Sequence, residues 1–120
     1  MKKQKIAIVT GGASGIGLAI ATSFVKNKIK TIIIGRDIKK LKVVKSSLGE
    51  NCEVISFDLT HRAGIVELIK KITKKYGSID ILVNNAGINM KKPFIEVSDA
   101  DFDHIITTNV QSIFTISREV

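Results

Sequence analysis

The 120-residue chain has no tryptophan, one proline, one cysteine and one tyrosine, and aromatic residues make up only 5% of it. A single cysteine, Cys52, excludes an internal disulfide and fits a reducing compartment. The two histidines, His61 and His104, stand far apart in sequence and offer no metal cluster with Cys52. No apolar run approaches the length of a membrane-spanning helix. The basic start Met1-Lys2-Lys3-Gln4-Lys5 has the charge of a signal peptide, but the apolar core that should follow would run through Thr10-Gly11-Gly12 and Ser14-Gly15. Without a targeting segment the expected location is the cytoplasm, with no membrane partner. The composition, 44% hydrophobic and 25% charged, is that of an ordinary globular domain, and the length fits one domain with a modest core.

Acidic residues are scarce in one half only. Residues 1–50 carry 11 Lys and Arg against 2 acids, whereas residues 51–120 carry 8 against 9, so the net charge of +8 lies in the first half. A basic patch can bind nucleic acid. Here Lys39, Lys40, Lys42 and Lys45 fall at spacings that suit the solvated face of one helix, and no aromatic interleaves with them as a base-stacking platform. A nucleic-acid partner is therefore not expected.

What the chain does contain is alternation. Strand-like runs at 5–10, 31–34, 53–57 and 80–83 are separated by helix-like stretches at 15–27, 38–48 and 62–75. The second helix has Leu41, Val44 and Leu48 on one face, and the third has Ile65, Leu68, Ile69 and Ile72. A loop through Pro93 leads to a helix over 99–120, capped by Ser98 with Asp101 three residues on. Its expected apolar face is Phe102, Ile105, Ile106, Val110, Ile113 and Phe114. Apolar strands joined by helices predict an α/β fold with a parallel sheet, and right-handed crossovers favour the order 3-2-1-4. The reading is a Rossmann-type doubly wound sheet, a single domain over 1–120, incomplete on one side where the fourth strand lacks an outer neighbour. Such an edge invites aggregation, so the isolated chain is expected to be marginal.

Four short motifs carry chemistry. Thr10-Gly11-Gly12-Ala13-Ser14-Gly15-Ile16-Gly17 lies between the first strand and first helix. Glycines there let a ligand approach the main chain, and the positive end of the helix attracts a phosphate. Arg36 is the first residue beyond Gly35 at the end of the second strand, where a guanidinium can hold a ribose 2′-phosphate. The competing reading is an exposed arginine opening a helix with Asp37 as its cap; Asp37 also keeps the cofactor choice open, since a carboxylate there would select the free 2′-hydroxyl. Asp58 follows the third strand and suits either an adenine amino group or, with Thr60, a helix cap. Asn84-Asn85-Ala86-Gly87 follows the fourth strand and suits the floor of a switch-point crevice. Asn109, on the edge of an apolar helical face, reads by itself as a tolerated polar residue.

Together these residues strongly resemble the short-chain dehydrogenase/reductase family of the classical type. The resemblance covers all 120 residues and corresponds to about the first half of a typical member. It implies a cofactor-binding turn at Gly11, Gly12, Ala13, Ser14, Gly15, Ile16 and Gly17, and adenine contacts at Asp58 and Leu59. It also implies cofactor contacts at Asn85, Ala86 and Gly87. Thr108-Asn109-Val110 looks like the segment holding the family's catalytic asparagine, which makes Asn109 a proton-relay residue. The implied activity is hydride transfer between a nicotinamide cofactor and a small carbonyl or alcohol, with NADP favoured by Arg36 and NAD as the alternative. The family's helix at 99–120 commonly packs against another subunit, which implies a homo-oligomer. The family's serine, and its tyrosine with a lysine four residues later, have no match: Tyr76 is followed at that distance by Asp80. The chain alone is accordingly expected to be inactive. A nonenzymatic NADP-binding or regulatory module, an inactive remnant and a basic interaction protein are the competing readings.

Overall fold

The computed structural model describes residues 4–86 and 94–120. The chain order is β1 (Ile6–Thr10), α1 (Gly15–Lys26), β2 (Lys30–Gly35), α2 (Ile38–Leu48), β3 (Cys52–Ser56), α3 (Arg62–Tyr76) and β4 (Ile81–Asn84). A short 3₁₀ turn at Phe94–Glu96 and two helices, α4 (Asp99–Ile106) and α5 (Ser112–Glu119), follow. The expected element ends differ from these by about one residue. The sheet is parallel throughout, in the order β3-β2-β1-β4, as the alternation of the sequence predicts.

β-branched residues put β1 and β2 at the centre. Every residue of β1 is buried, and so are Thr31–Ile34 of β2, because helices cover both faces of these strands. The strand period of two then separates two cores. Ile8, Ile32 and Ile34 pack with Ile65, Leu68, Ile69 and Ile72 of α3 and with Ile116 of α5. Val9 and Ile33 face the other way, onto Ala21 of α1 and Leu41 and Val44 of α2. Local signals fix the joints. Asp37 caps α2, accepting bonds from the Lys39 and Lys40 amides, and Gly49 ends it at φ 85°. Ser98 and Asp101 form the expected reciprocal capping box of α4.

The region 99–120 departs from a continuous helix. Residues Thr107–Gln111 form a π turn between α4 and α5. A π turn inserts one extra residue, rotating all that follows by about 100° about the axis. The face of α5 turned inward therefore becomes Ser112, Thr115 and Ile116, and Phe114 of the expected apolar face is exposed; Phe102, before the turn, and Val110, within it, are exposed as well. Among the described residues no helix is long and apolar enough to cross a membrane.

Candidate functional site

The site grows from the end of β1. Thr10 is buried, and its hydroxyl accepts bonds from the amides of Asn85 and Ala86, each at 3.0 Å, while donating to the carbonyl of Val83 at 3.3 Å. This one side chain ties the turn after β1 to the turn after β4. Asn85 completes the tie by donating from Nδ2 to the Gly11 carbonyl at 3.1 Å. The Gly11 amide in turn donates to the Ile34 carbonyl at 2.9 Å, anchoring the turn to β2. Gly11 has φ 66° and presses its backbone against Ala86, where a Cβ would lie 3.1 Å from the Ala86 amide nitrogen and Cα. The left-handed conformation and the close approach both require glycine.

Ser14 then starts α1 in extended conformation, with no side-chain bond closing the cap. The first-turn amides of α1 lack partners within the helix, as at any helix start, and carry the positive end of its dipole. In front of them lies a cleft of ≈ 380 Å³ at the carboxyl ends of β1, β2 and β3. Gly11, Ser14, Gly15 and Ile16 form one wall; Arg36, Asp58 and Leu59 lie across from them, and Asn85 and Ala86 close the floor. Gly12, Ala13 and Gly17 are not in the wall. Gly12 instead packs on Ile33 and Val9, and Gly17 sits beneath the turn against Asn85 and the Gly11 carbonyl. Gly87 lies outside the described residues. Asn109 falls in the π turn rather than in the cleft lining.

Electrostatics divide the far wall. The Asp58 carboxylate accepts from the Thr60 hydroxyl at 2.7 Å and the Thr60 amide at 2.9 Å. The Thr60 hydroxyl, then the Thr60 amide, hold the Asp58 carboxyl below the ordinary aspartate range, and the nearby Arg36 charge acts in the same direction. Asp58 does not cap α3: that helix begins at Arg62, and its cap position is His61. The two charged residues that follow the second strand are also separated. Asp37 is turned back onto α2, with Oδ1 3.0 Å from the Lys39 amide, whereas Arg36 is exposed at the cleft.

Sequence reasoning missed Ile34, Gly35, Phe57, Thr60 and Thr108 as lining residues. The first four adjoin residues already singled out at strand ends, so strand-end position alone would have found them. Thr108 has no such signal, because it reaches the cleft from a helix some fifty residues beyond β3. Its hydroxyl is buried without a hydrogen-bond partner among the described residues. An unpaired buried hydroxyl costs about 1–3 kcal/mol. Thr108→Val is therefore expected to stabilise the ligand-free protein by about 1 kcal/mol in urea titration; destabilisation would contradict the unpaired hydroxyl.

A glycine-walled cleft at the switch point of a doubly wound parallel sheet defines a nucleotide-binding α/β protein. The family model described as short chain dehydrogenase matches residues 5–120, and the chain belongs to that family. It is 35% identical over 116 residues to the 3-oxoacyl-[acyl-carrier-protein] reductase FabG of Escherichia coli (strain K12), covering 97% of this chain and 48% of that one. Among solved structures it is similar to a 3-ketoacyl-(acyl-carrier-protein) reductase from Brucella melitensis complexed with NADH, with TM-score 0.90, 31% identity, and coverage of 98% and 48%. It is also similar to the F189W actinorhodin polyketide ketoreductase with NADPH, with TM-score 0.89, 28% identity, and coverage of 97% and 46%. The chain spans about half the length of these relatives.

Proposed function

We propose that this chain is the cofactor-binding part of an NADP-dependent oxidoreductase acting on a small carbonyl or alcohol substrate. The carrying observation is the division of labour at the cleft: the glycine turn and the start of α1 face Arg36 and Asp58 across ≈ 380 Å³. The residues fit a dinucleotide. The close-packed turn leaves the main chain bare for a pyrophosphate, as the open space around Gly15 illustrates, where a Cβ would meet nothing within 4 Å. The Asp58 carboxylate, kept ionised by Thr60, suits the adenine amino group, with Leu59 beside it. Arg36 suits a 2′-phosphate because its charge is permanent and its donors form a fork. Asp37 does not compete for the ribose while its carboxylate caps α2.

When bound, the nicotinamide group would supply the hydride. The chain's own part is to hold and orient it, and Asn109 is the residue we assign to the proton relay. The exposed Phe102, Val110 and Phe114 form the face we assign to subunit packing. Both assignments rest on the family.

Arg36→Asp tests the cofactor choice. Removing a charge-assisted contact and adding a like charge should move the ratio of NADPH to NADH dissociation constants toward NADH by about 2–3 kcal/mol, roughly 30- to 150-fold. An unchanged ratio in isothermal titration of the full-length protein would remove Arg36 from the 2′-phosphate.

A further inference from the structure

A second groove, of ≈ 400 Å³, runs along the outer side of β3, walled by α3. We propose that it is a docking site for an extended acidic peptide segment of a partner protein, which adds to β3 as a further strand.

The backbone supplies the first argument. β3 is an outer strand of the sheet. The Thr31 amide donates to the Asn51 carbonyl and the Phe57 amide to the Gly35 carbonyl, so the odd-numbered residues 51–57 face β2. The amides and carbonyls of Cys52, Val54 and Ser56 then point outward. At Cys52 both are occupied: the amide donates to the Gly49 carbonyl, and the carbonyl accepts from Lys45 Nζ at 2.8 Å. Val54 and Ser56 retain two outward amides and two outward carbonyls, a template that only another extended backbone matches fully.

The side chains supply the second. Phe57, Leu68, Ile72 and Tyr76 give the groove an apolar floor, which suits the alternate side chains of an added strand. Its charge is one-sided. The Glu53 carboxylate is held by Lys30 at 3.3 Å and Lys45 at 3.2 Å. Burial raises its pKa, but hydrogen bonds from Lys45 and Lys30 outweigh this and hold the carboxyl below the usual range. Glu67 has Lys70 at 3.7 Å. Lys71 and Lys75 line the same groove with no ion pair among the described residues, and Lys75 lies 5.2 Å from the centre of the Tyr76 ring. The acids are answered and the cations are not. A second copy of this edge would bring lysines against lysines, which disfavours self-pairing.

The test uses the complete protein saturated with NADPH and a fluorescein-labelled, end-blocked hexapeptide of alternating glutamate and valine. The controls are the lysine–valine counterpart and a glutamate–valine peptide N-methylated at alternate amides. Saturable binding of the glutamate peptide is expected, lost on N-methylation, weakened about tenfold or more by Lys71→Glu with Lys75→Glu, and reversed in that variant toward the lysine peptide. Val54→Pro removes one outward amide while sparing the bonds to β2. If that variant does not fold, the N-methylated peptide makes the same test from the ligand side. No saturable binding up to about 1 mM, equal binding of the methylated peptide, indifference to the charge reversal, or self-association through β3 would each overturn the proposal. Repeating the titration without NADPH separates this groove from the cofactor cleft: the affinity should not change.

Discussion

Gly17→Ala is expected to abolish dinucleotide binding over the range in which the unsubstituted protein saturates, a weakening of more than about 100-fold, and to lower stability by about 2–4 kcal/mol. The reason is steric. A Cβ at Gly17 would fall inside the contact distance of both the Gly11 carbonyl oxygen and Asn85 Nδ2. Those two atoms are the donor–acceptor pair that joins the glycine turn to the turn after β4. One methyl group therefore strikes a hydrogen bond from the side, and neither partner can retreat cheaply. The Gly11 amide is pinned to Ile34 and the Asn85 amide to Thr10. Opening the turn would displace the wall that faces Arg36. Gly15→Ala is the informative control. A Cβ there meets nothing, but φ is 58°, so only the conformational cost of about 1 kcal/mol applies. NADPH titration together with urea unfolding of both variants checks the argument. Equal losses in the two would show that backbone conformation, not the packing of Gly17, sets the effect.

The second large effect is expected at Thr10. Thr10→Val keeps the shape of the side chain and replaces the hydroxyl by a methyl. Two amides, of Asn85 and Ala86, then lose their acceptor, and the Val83 carbonyl loses a donor. These groups are partly buried, and leaving them unpaired should cost about 2–4 kcal/mol, well beyond one average hydrogen bond. Thr10→Ser retains the hydroxyl and loses only a buried methyl, for about 1 kcal/mol. The measurement is the difference between the two variants in urea unfolding. If it is smaller than about 0.5 kcal/mol, the hydroxyl is not what joins β1 to the turn after β4. The order Ser above Val would be unusual for a central strand, where β-branched valine is normally favoured. That reversal makes the test sharp.

Both predictions turn on hydrogen bonds between residues more than seventy positions apart, and this marks the limit of what could be read along the chain. The individual glycines, Thr10, and the Asn84-Asn85-Ala86 run were each visible as motifs. That Asn85 Nδ2 would reach the Gly11 carbonyl, and so forbid a side chain at Gly17, depends on β4 lying beside β1 in register. Asp37 gives the reverse case. Its sequence position left it open both as a ribose contact and as the cap of the following helix, and the structure commits its carboxylate to the Lys39 and Lys40 amides. Asp58 likewise proved to be bonded to Thr60 rather than to the start of α3. In the helical region at 99–120, polarity was misleading. Ser112 and Thr115 are buried while Phe114 is exposed, because the extra residue of the π turn shifts the phase of everything after it; Phe102, before the turn, and Val110, within it, are exposed too.

The sequence by itself determined the order of strands and helices, the parallel doubly wound sheet and the glycine turn before α1. These follow from hydrophobic period, β-branched runs and the special backbone freedom of glycine, all of which act over a few residues. Only the tertiary structure decided which glycine tolerates no methyl, that Thr108 reaches the cleft, and which face of the last helices turns inward. Those outcomes depend on sheet register and on the phase of a helix, and each is set by packing between segments distant in the chain.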